Sequence, residues 1–173
     1  TADDLAAYRA VWRVPARATW RGLQVHTRAG LSGVPEPLAR MPQLAGRRAS
    51  ERILDLVAAL AATPGPETHT TNLVAVDAAG RACVLTTSLG LGSGDWVSGF
   101  DLHLNSMLGE TDLLVGELVP GRRMASMMAP TLVLDSEGLA LALGAAGGTR
   151  LRSALVQVVA GVLGEGLSAR DAV

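Results

Sequence analysis

The pattern of apolar positions changes near residue 70, from helical spacing before it to strand-like spacing after it. Before this point, a helix is predicted to begin at residue 50 and to end near residues 63–64. Ser50 is its predicted N-cap, and Pro64 should end it, because proline disfavours helical conformation in the residue before it. The side chains that this helix is expected to bury are Ile53, Leu54, Leu56, Val57 and Leu60.

The rest of the first part is less regular. Residues 3–11 should form a helix, with Asp3 and Asp4 in the first turn, where the helix dipole favours acids. Residues 16–27 are expected to form two strands about a turn at Arg21-Gly22. The proline- and glycine-rich residues 30–46 predict a loop with one short helix.

The second part predicts two hairpins and a late helix. The first hairpin should pair residues 73–76 with 82–87, and the second 131–134 with 139–143. The remaining predicted elements are a short strand at 102–105, a loop at 107–119, a helix at 149–163 and a last helix capped by Ser168. The side chains that the helix at 149–163 is expected to bury are Leu151, Leu155, Val158, Val159 and Val162. The predicted fold class is therefore α+β with antiparallel pairing.

Composition narrows the protein class without naming a function. The 173 residues suffice for one domain, and the net charge of -1 gives no basic surface for nucleic acid. No apolar run is long enough for a membrane helix, and no signal peptide opens the chain, whose start looks like the interior of a longer protein. Cys83, the single cysteine, permits no internal disulfide and is expected to be a buried structural thiol.

Thr70 is the first candidate for chemistry. It follows a proline-rich loop and begins a strand. If the bond between His69 and Thr70 is cut, the new α-amine, with a pKa near 8, can take the proton of the adjacent hydroxyl, so that nucleophile and base share one residue. The alternative is that Thr70 and Thr71 are β-branched residues that merely start a strand.

Gly147 and Gly148 are the second candidate, because they precede the predicted late helix. Backbone N–H groups at a helix start have no partner within the helix and can stabilise an oxyanion. A tight strand-to-helix turn explains the two glycines equally well.

Other polar features give weaker signals. The three histidines have no metal-ligand spacing, the methionines are interpreted as packing residues, and the glycine loop at 90–94 is a weak phosphate signal, because no periodic helix follows it. The residues in question are His26, His69 and His103, and Met124, Met127 and Met128.

Taken together, several segments resemble the gamma-glutamyltranspeptidase family in order and spacing. They are residues 70–77 with Gly80, 86–88, 92–94, 104–110, 126–131 and 144–150, and earlier 3–12 and 20–22. The resemblance implies an N-terminal-nucleophile hydrolase, an αββα sandwich of two antiparallel sheets between helical layers, of which this chain would be a partial domain. It also implies self-cleavage between His69 and Thr70. Residues 1–69 would then be the end of a large-subunit-like region and residues 70–173 the catalytic region.

The implied reaction is attack by Thr70 on a γ-glutamyl amide such as glutathione, followed by transfer of the glutamyl group to water or an amino acid. It needs no cofactor and no metal. The other implied roles are Ser88 as the hydroxyl that orients Thr70, Gly147 and Gly148 as oxyanion donors, Glu110 as the acid that holds the substrate α-amine, Ser126 as a ligand of its α-carboxylate, and Asn105 in the substrate-binding set.

The sequence departs from the best-known members of this family at three positions. Gly90 stands where they have asparagine, Met107 where they have an amide or acid, and Met127 where they have a second serine. These changes remove polar contacts to the glutamate end of the substrate, so amides other than γ-glutamyl ones are alternative substrates. The arginine that grips the α-carboxylate in the family belongs to its larger N-terminal portion, which these residues do not include.

Three functions therefore remain open: a threonine amidohydrolase or transpeptidase, an uncut non-catalytic fragment or pseudoenzyme, and a ligand-binding α+β domain. The expected partners are a small γ-glutamyl substrate and the N-terminal large-subunit region, with room for a homo-oligomer. No nucleic acid or membrane segment is expected, and the compartment, cytoplasmic or periplasmic, stays open.

Overall fold

The structure is a computed structural model, and it describes residues 2–31, 33–60, 69–146 and 148–173. The two strands predicted within residues 16–27 are confirmed as β1 (Ala16–Trp20) and β2 (Leu23–Thr27), which pair antiparallel. The turn between them places Arg21 and Gly22 at positive φ, 54° and 83°, so the glycine takes the more demanding angle at little cost.

The first helices differ in detail from the prediction. Helix α1 (Ala2–Ala7) ends before the expected residue 11, and none of its residues is buried. A short helix without tertiary packing is marginal in water, which explains the early end. The loop at 30–46 contains its one short helix, α2 (Pro35–Arg40).

Helix α3 (Ala49–Leu60) corrects two expectations. Ser50 lies inside the helix and is not its N-cap. Instead the Glu51 carboxylate accepts a hydrogen bond from the Arg48 backbone N–H at 3.1 Å. The expected apolar face is also only partly buried: Ile53, Leu54 and Val57 are exposed, whereas Leu56, Ala59 and Leu60 contact the core.

The orientation of α3 follows from its polar contacts. Arg52 forms an ion pair with Glu165 at 2.5 Å, and Arg40 of α2 donates to the carbonyl of Ala59 at 3.1 Å. These contacts hold the side of α3 that carries Ala59 against the core. The spacing of apolar residues alone could not identify that side.

The second part begins with the predicted hairpin, formed by β3 (His69–Val76) and β4 (Ala82–Gly90). Along β4 the half-buried and exposed residues alternate, and Cys83 falls on the exposed side. The expectation of a buried Cys83 is therefore wrong. The physical reason is that this two-stranded sheet has only one covered face, and Cys83 lies on the other.

Two further strand pairs follow. Strands β5 (Trp96–Val97) and β6 (Leu102–His103) form a two-residue ladder, shorter than the predicted strand at 102–105. Two 3₁₀ turns, Met107–Gly109 and Thr111–Leu113, lie in the predicted loop. The second predicted hairpin is confirmed as β7 (Thr131–Leu134) and β8 (Leu139–Leu143).

Strands from both parts of the chain form one antiparallel sheet in the order β1-β2-β7-β8. The register places Val25 of β2 opposite Val133 of β7, and both are fully buried. Thus residues on either side of position 70 share one hydrogen-bonded sheet. The division of the chain at residue 70 stays a prediction.

The late helix is broken into three segments: a 3₁₀ turn (Gly148–Arg150), α4 (Leu151–Val159) and a π-helical turn (Ala160–Gly164). Of the residues expected on its buried side, Leu151, Leu155 and Val159 are buried, and Val158 and Val162 are half-buried. Helix α5 (Ala169–Ala172) follows, and its predicted cap is confirmed, because the Ser168 hydroxyl accepts from the Asp171 backbone N–H.

The core lies between the four-stranded sheet and helices α2 and α4. Its fully buried members include Val25, Val133, Leu38, Leu155 and Val159. The α+β class with antiparallel sheets and helices is confirmed, while the αββα sandwich stays a prediction. Within the described ranges, no helix is both long and apolar enough to cross a membrane.

Candidate active site

A small cavity beside the start of β3 gathers residues from distant parts of the chain. It encloses about 20 Å³, close to the space that one water molecule needs. Its lining consists of Thr70, Ser88, Met107, Glu110, Leu113, Ser126, Met127, Met128, Gly148 and Leu151. Five predicted site residues, Thr70, Ser88, Glu110, Ser126 and Gly148, therefore line one cavity. A larger open depression of about 500 Å³ is formed by residues 96–101 alone and shares no residue with it.

Strand pairing sets the distance between the two hydroxyls. Thr70 of β3 lies opposite Ser88 of β4, and the Thr70 Oγ1 donates to the Ser88 Oγ at 3.3 Å. The Ser88 Oγ also accepts from the Gly90 backbone N–H at 3.0 Å. This second donor fixes the serine rotamer, so Ser88 can hold the threonine hydroxyl in one direction.

The ladder is irregular at the predicted scissile bond. Thr70 pairs with Ser88, whereas His69 pairs with Gly90, so Leu89 is an extra residue on β4. A bulge of this kind bends the strand and breaks the regular pairing, and such irregularities are frequent beside active sites. The backbone between His69 and Thr70 therefore lies outside the regular ladder.

Glu110 is the charged residue of the cavity. It follows the 3₁₀ turn Met107–Gly109, and its carboxylate lies against Gly90. A side chain at Gly90 would overlap the Glu110 Oε1 and would come within 2.7 Å of the Ser106 Oγ. The Glu110 Oε1 is buried and has no hydrogen-bond partner among the described residues. A buried carboxylate oxygen without a donor favours binding of a cationic or N–H group.

Ser126 lies in the segment that precedes β7. Its side chain is buried, and its Oγ accepts from the Met128 backbone N–H at 3.1 Å. Its carbonyl accepts from the Arg28 guanidinium at 3.0 Å. Burial, and then the nearby Arg13, lowers the pKa of Arg28 below its usual range. Arg28 thus ties the Ser126 backbone to the end of β2.

A buried hydroxyl network anchors the same segment. The Thr27 Oγ1 donates to the Pro130 carbonyl at 3.2 Å. The Thr131 Oγ1 lies within hydrogen-bonding distance of both the Thr27 Oγ1 and the Ala129 carbonyl, at 3.1 and 2.9 Å. These contacts fix the strand end that presents Ser126 to the cavity.

Gly148 begins the 3₁₀ turn that leads into α4. It is buried and has a φ of +57°, an angle that glycine adopts readily. Gly148 thus lies at a helix start, and its role as an oxyanion donor stays a prediction. Gly147, the other expected donor, lies outside the described residues.

Asn105 does not line the cavity. It is exposed, and its Oδ1 accepts a hydrogen bond from the Met107 backbone N–H at 3.1 Å. This contact caps the 3₁₀ turn that begins at Met107. Its expected role in substrate binding stays a prediction.

His103 stacks on Trp96 with ring centroids 4.7 Å apart. Across the part of the chain that the structure describes, no group of three His, Cys, Asp or Glu side chains could hold a metal ion.

Sequence reasoning missed several contributors. Leu113, Met128 and Leu151 line the cavity, and Arg28 supports it from β2. Met127 and Met128, which the sequence suggests as packing residues, both line the cavity, and Met127 does so at the position where the family has a second serine. The sequence gives no signal for Leu113 or Arg28 as part of the site, because their positions depend on how distant segments pack together.

The chain is similar to a known protein family. Residues 39–173 match the family model described as gamma-glutamyltranspeptidase. No curated protein matches the chain. The matched range covers most of the chain and includes every residue of the cavity. The chain therefore belongs to the gamma-glutamyltranspeptidase family.

Proposed function

We propose that Thr70 is the nucleophile of a threonine amidohydrolase or transpeptidase that acts on γ-glutamyl amides, of which glutathione is an example. The observation that carries the proposal is the convergence of Thr70, Ser88, Glu110, Ser126 and Gly148 on one cavity. These residues come from separate segments of the chain, so sequence proximity does not explain their meeting.

The first step is self-cleavage. The Thr70 Oγ1 attacks the carbonyl carbon of His69, the C–N bond between the two residues breaks, and the threonine nitrogen takes a proton. Water then hydrolyses the resulting ester, which leaves a free Thr70 amine. Support comes from the bulge at this bond and from the Ser88 hydroxyl that fixes the Thr70 hydroxyl.

Cleavage would leave the two pieces joined by non-covalent contacts. Residues 1–69 supply β1 and β2, and residues 70–173 supply β7 and β8, to the same sheet. The β2–β7 pairing and the core around Val25 and Val133 do not depend on the cut bond. We therefore propose that residues 1–69 and 70–173 act as the large-subunit-like and the catalytic parts of one folded unit.

Acyl transfer follows in the cut protein. The Thr70 amine, with a pKa of about 8, takes the proton of its own hydroxyl while the Oγ1 attacks the amide carbonyl of the substrate. Backbone N–H groups at Gly147 and Gly148 would stabilise the oxyanion. The amide C–N bond breaks, the leaving amine takes the proton, and water or an amino acid then attacks the acyl ester.

A direct test is cleavage of a γ-glutamyl anilide by the wild-type protein and by Thr70→Ala. Thr71→Ala is the matched control, because Thr71 is the exposed neighbour on the same strand and does not line the cavity. We expect anilide release by wild type and Thr71→Ala and none by Thr70→Ala. Equal activity of Thr70→Ala would contradict the proposal. No release by any of the three would favour the uncut, non-catalytic alternative.

A further inference from the structure

The face of β3 that carries Thr70 also carries Asn72, because alternate residues of a strand point to the same side. Asn72 is half-buried and lies opposite Thr86 of β4. The Thr86 Oγ1 donates a hydrogen bond to the Asn72 Oδ1 at 2.7 Å. This face of the hairpin therefore holds two neighbouring polar pairs, Thr70 with Ser88 and Asn72 with Thr86, and only the first pair lines the cavity.

The Asn72 amide packs directly against Gly144, the residue that follows β8. A β-carbon at position 144 would overlap the Asn72 Oδ1 and Cγ, and it would lie 2.7 Å from the Nδ2. The backbone at position 144 does not itself require glycine, because its φ lies outside the left-handed region. What requires glycine there is the close approach of the Asn72 amide.

Gly144 begins the short segment that leads from β8 to Gly148. Leu143, the residue before it, is buried in the core, so this segment starts from a fixed point. Gly148 follows Gly144 by four positions, is buried and lines the same cavity as Thr70. The contact of Gly144 with Asn72 thus links the strand of the candidate nucleophile to the segment that ends at Gly148.

We propose that Asn72 is a positioning residue for acyl transfer. Its amide, oriented by Thr86, supports Gly144 and so places the Gly148 backbone N–H at the distance from Thr70 that oxyanion stabilisation needs. This inference rests on the proposed function and deepens it. Oxyanion donors act on charge that develops in the transition state, so their misplacement slows the chemical step more than it weakens binding. Loss of the Asn72 contact should therefore lower kcat and change KM little.

The first test measures kcat and KM for a γ-glutamyl anilide, with kcat expressed per self-cleaved molecule. Gly144→Ala places a methyl group against the Asn72 amide, so the segment must move away from β3 or the Thr86 bond must break. We expect kcat to fall by about 10- to 100-fold, the effect of a misplacement of about 1 Å, with KM nearly unchanged. The double variant Gly144→Ala/Asn72→Ala makes room for the methyl group and should recover part of the lost kcat.

A second set of variants leaves Gly144 intact and tests the orientation of the amide. Thr86→Val keeps the shape of the side chain but removes the donor, and it should lower kcat by about 3- to 10-fold, the range of one neutral hydrogen bond. Thr86→Ser keeps the hydroxyl and should retain most of kcat. Thr87→Val is the matched control, because Thr87 is the next residue of β4 and is exposed, and it should leave kcat and KM unchanged.

The outcomes separate the positioning role from the proposed function. Equal kcat in Gly144→Ala and wild type, or a change confined to KM, would overturn the positioning role and leave the proposed function standing. A loss that Asn72→Ala does not relieve in the double variant, or equal losses in Thr86→Ser and Thr86→Val, would also overturn it. Anilide release by none of the proteins, wild type included, would overturn the proposed function and the positioning role together.

Discussion

Gly90 offers the sharpest test of how the cavity is built. It has a φ of +66°, it donates to the Ser88 Oγ, and its open side is occupied by the Glu110 carboxylate. Gly90→Ala adds one methyl group to this crowded point. The methyl would overlap the Glu110 Oε1 and approach the Ser106 Oγ to 2.7 Å, so at least one of them must move.

The expected cost has two parts. Alanine in the left-handed region costs about 1–2 kcal/mol relative to glycine. Displacing packed neighbours typically adds about 1–3 kcal/mol. We therefore expect the free energy of unfolding to fall by about 2–5 kcal/mol in total. Because the displaced group is Glu110, KM for an amine-bearing donor should also rise.

Gly80→Ala is the matched control. Gly80 has a similar φ of +76°, but a methyl group there meets no atom within 4 Å. This variant should show only the conformational cost of about 1–2 kcal/mol, with unchanged kinetics. Urea unfolding gives both free energies, and anilide hydrolysis gives KM and kcat.

Shortening the neighbouring carboxylate refines this test. In the double variant Gly90→Ala/Glu110→Asp, the carboxylate side chain is shorter by one methylene group and leaves room for the new methyl group at position 90. Part of the lost stability should therefore return. If Gly90→Ala were no less stable than Gly80→Ala, or if Glu110→Asp restored no stability, the Glu110 carboxylate would not be packed against residue 90 as described.

Three further predictions concern the hydroxyl pair, a surface turn and the core. Ser88→Ala should slow self-cleavage about tenfold or more, measured by gel densitometry, with little change in the urea midpoint; an unchanged rate would exclude Ser88 as the orienting group. The backbone N–H and then the guanidinium of Arg81 lower the pKa of Asp77 below its usual value of 3.8, so this contact stabilises the fold above that pH and its contribution is lost as the pH falls further. Asp77→Asn should therefore flatten the acid limb of the stability curve below about pH 4, and an unchanged limb would contradict this. Leu155→Ala should lower the free energy of unfolding by about 2–5 kcal/mol. In the same urea titration, Ile53→Ala on the exposed face of α3 should lower it by about 0.5 kcal/mol or less. Equal losses of stability would contradict the placement of Leu155 in the core.

The sequence predicted the hairpins well because strand and turn signals are local. The turn after β3 shows why: the Asp77 carboxylate accepts from the backbone N–H groups of Ala79 and Arg81, and Gly80 takes a positive φ. All of these contacts lie within five consecutive residues. A pattern of this kind needs no tertiary information.

Burial could not be predicted as well, because it depends on which faces the rest of the chain covers. Helical spacing predicted that α3 buries Ile53, Leu54 and Val57, yet these three side chains are exposed. The ion pair of Arg52 with Glu165 and the hydrogen bond from Arg40 to the Ala59 carbonyl hold a different side of α3 against the core. Strand β4 alternates between half-buried and exposed residues as predicted, but Cys83 lies on its exposed face.

The candidate site shows the same division between local and tertiary information. The strand start makes Thr70 a candidate, the family resemblance adds Ser88, and the contact between the two follows from hairpin register. The carboxylate packed on Gly90 and the support from Arg28 depend on tertiary packing between segments far apart in sequence. Residue spacing along the sequence does not predict contacts between segments that are this far apart in the chain.

We propose that Thr70 cleaves the peptide bond that precedes it and then serves as the nucleophile. Intact mass together with N-terminal sequencing of the purified protein tests it most directly, with Thr70→Ala and Thr71→Ala beside wild type. We expect two pieces, with a new N-terminus at Thr70, in wild type and Thr71→Ala, and a single chain in Thr70→Ala. An uncut wild-type chain, or cutting that persists in Thr70→Ala, would contradict it.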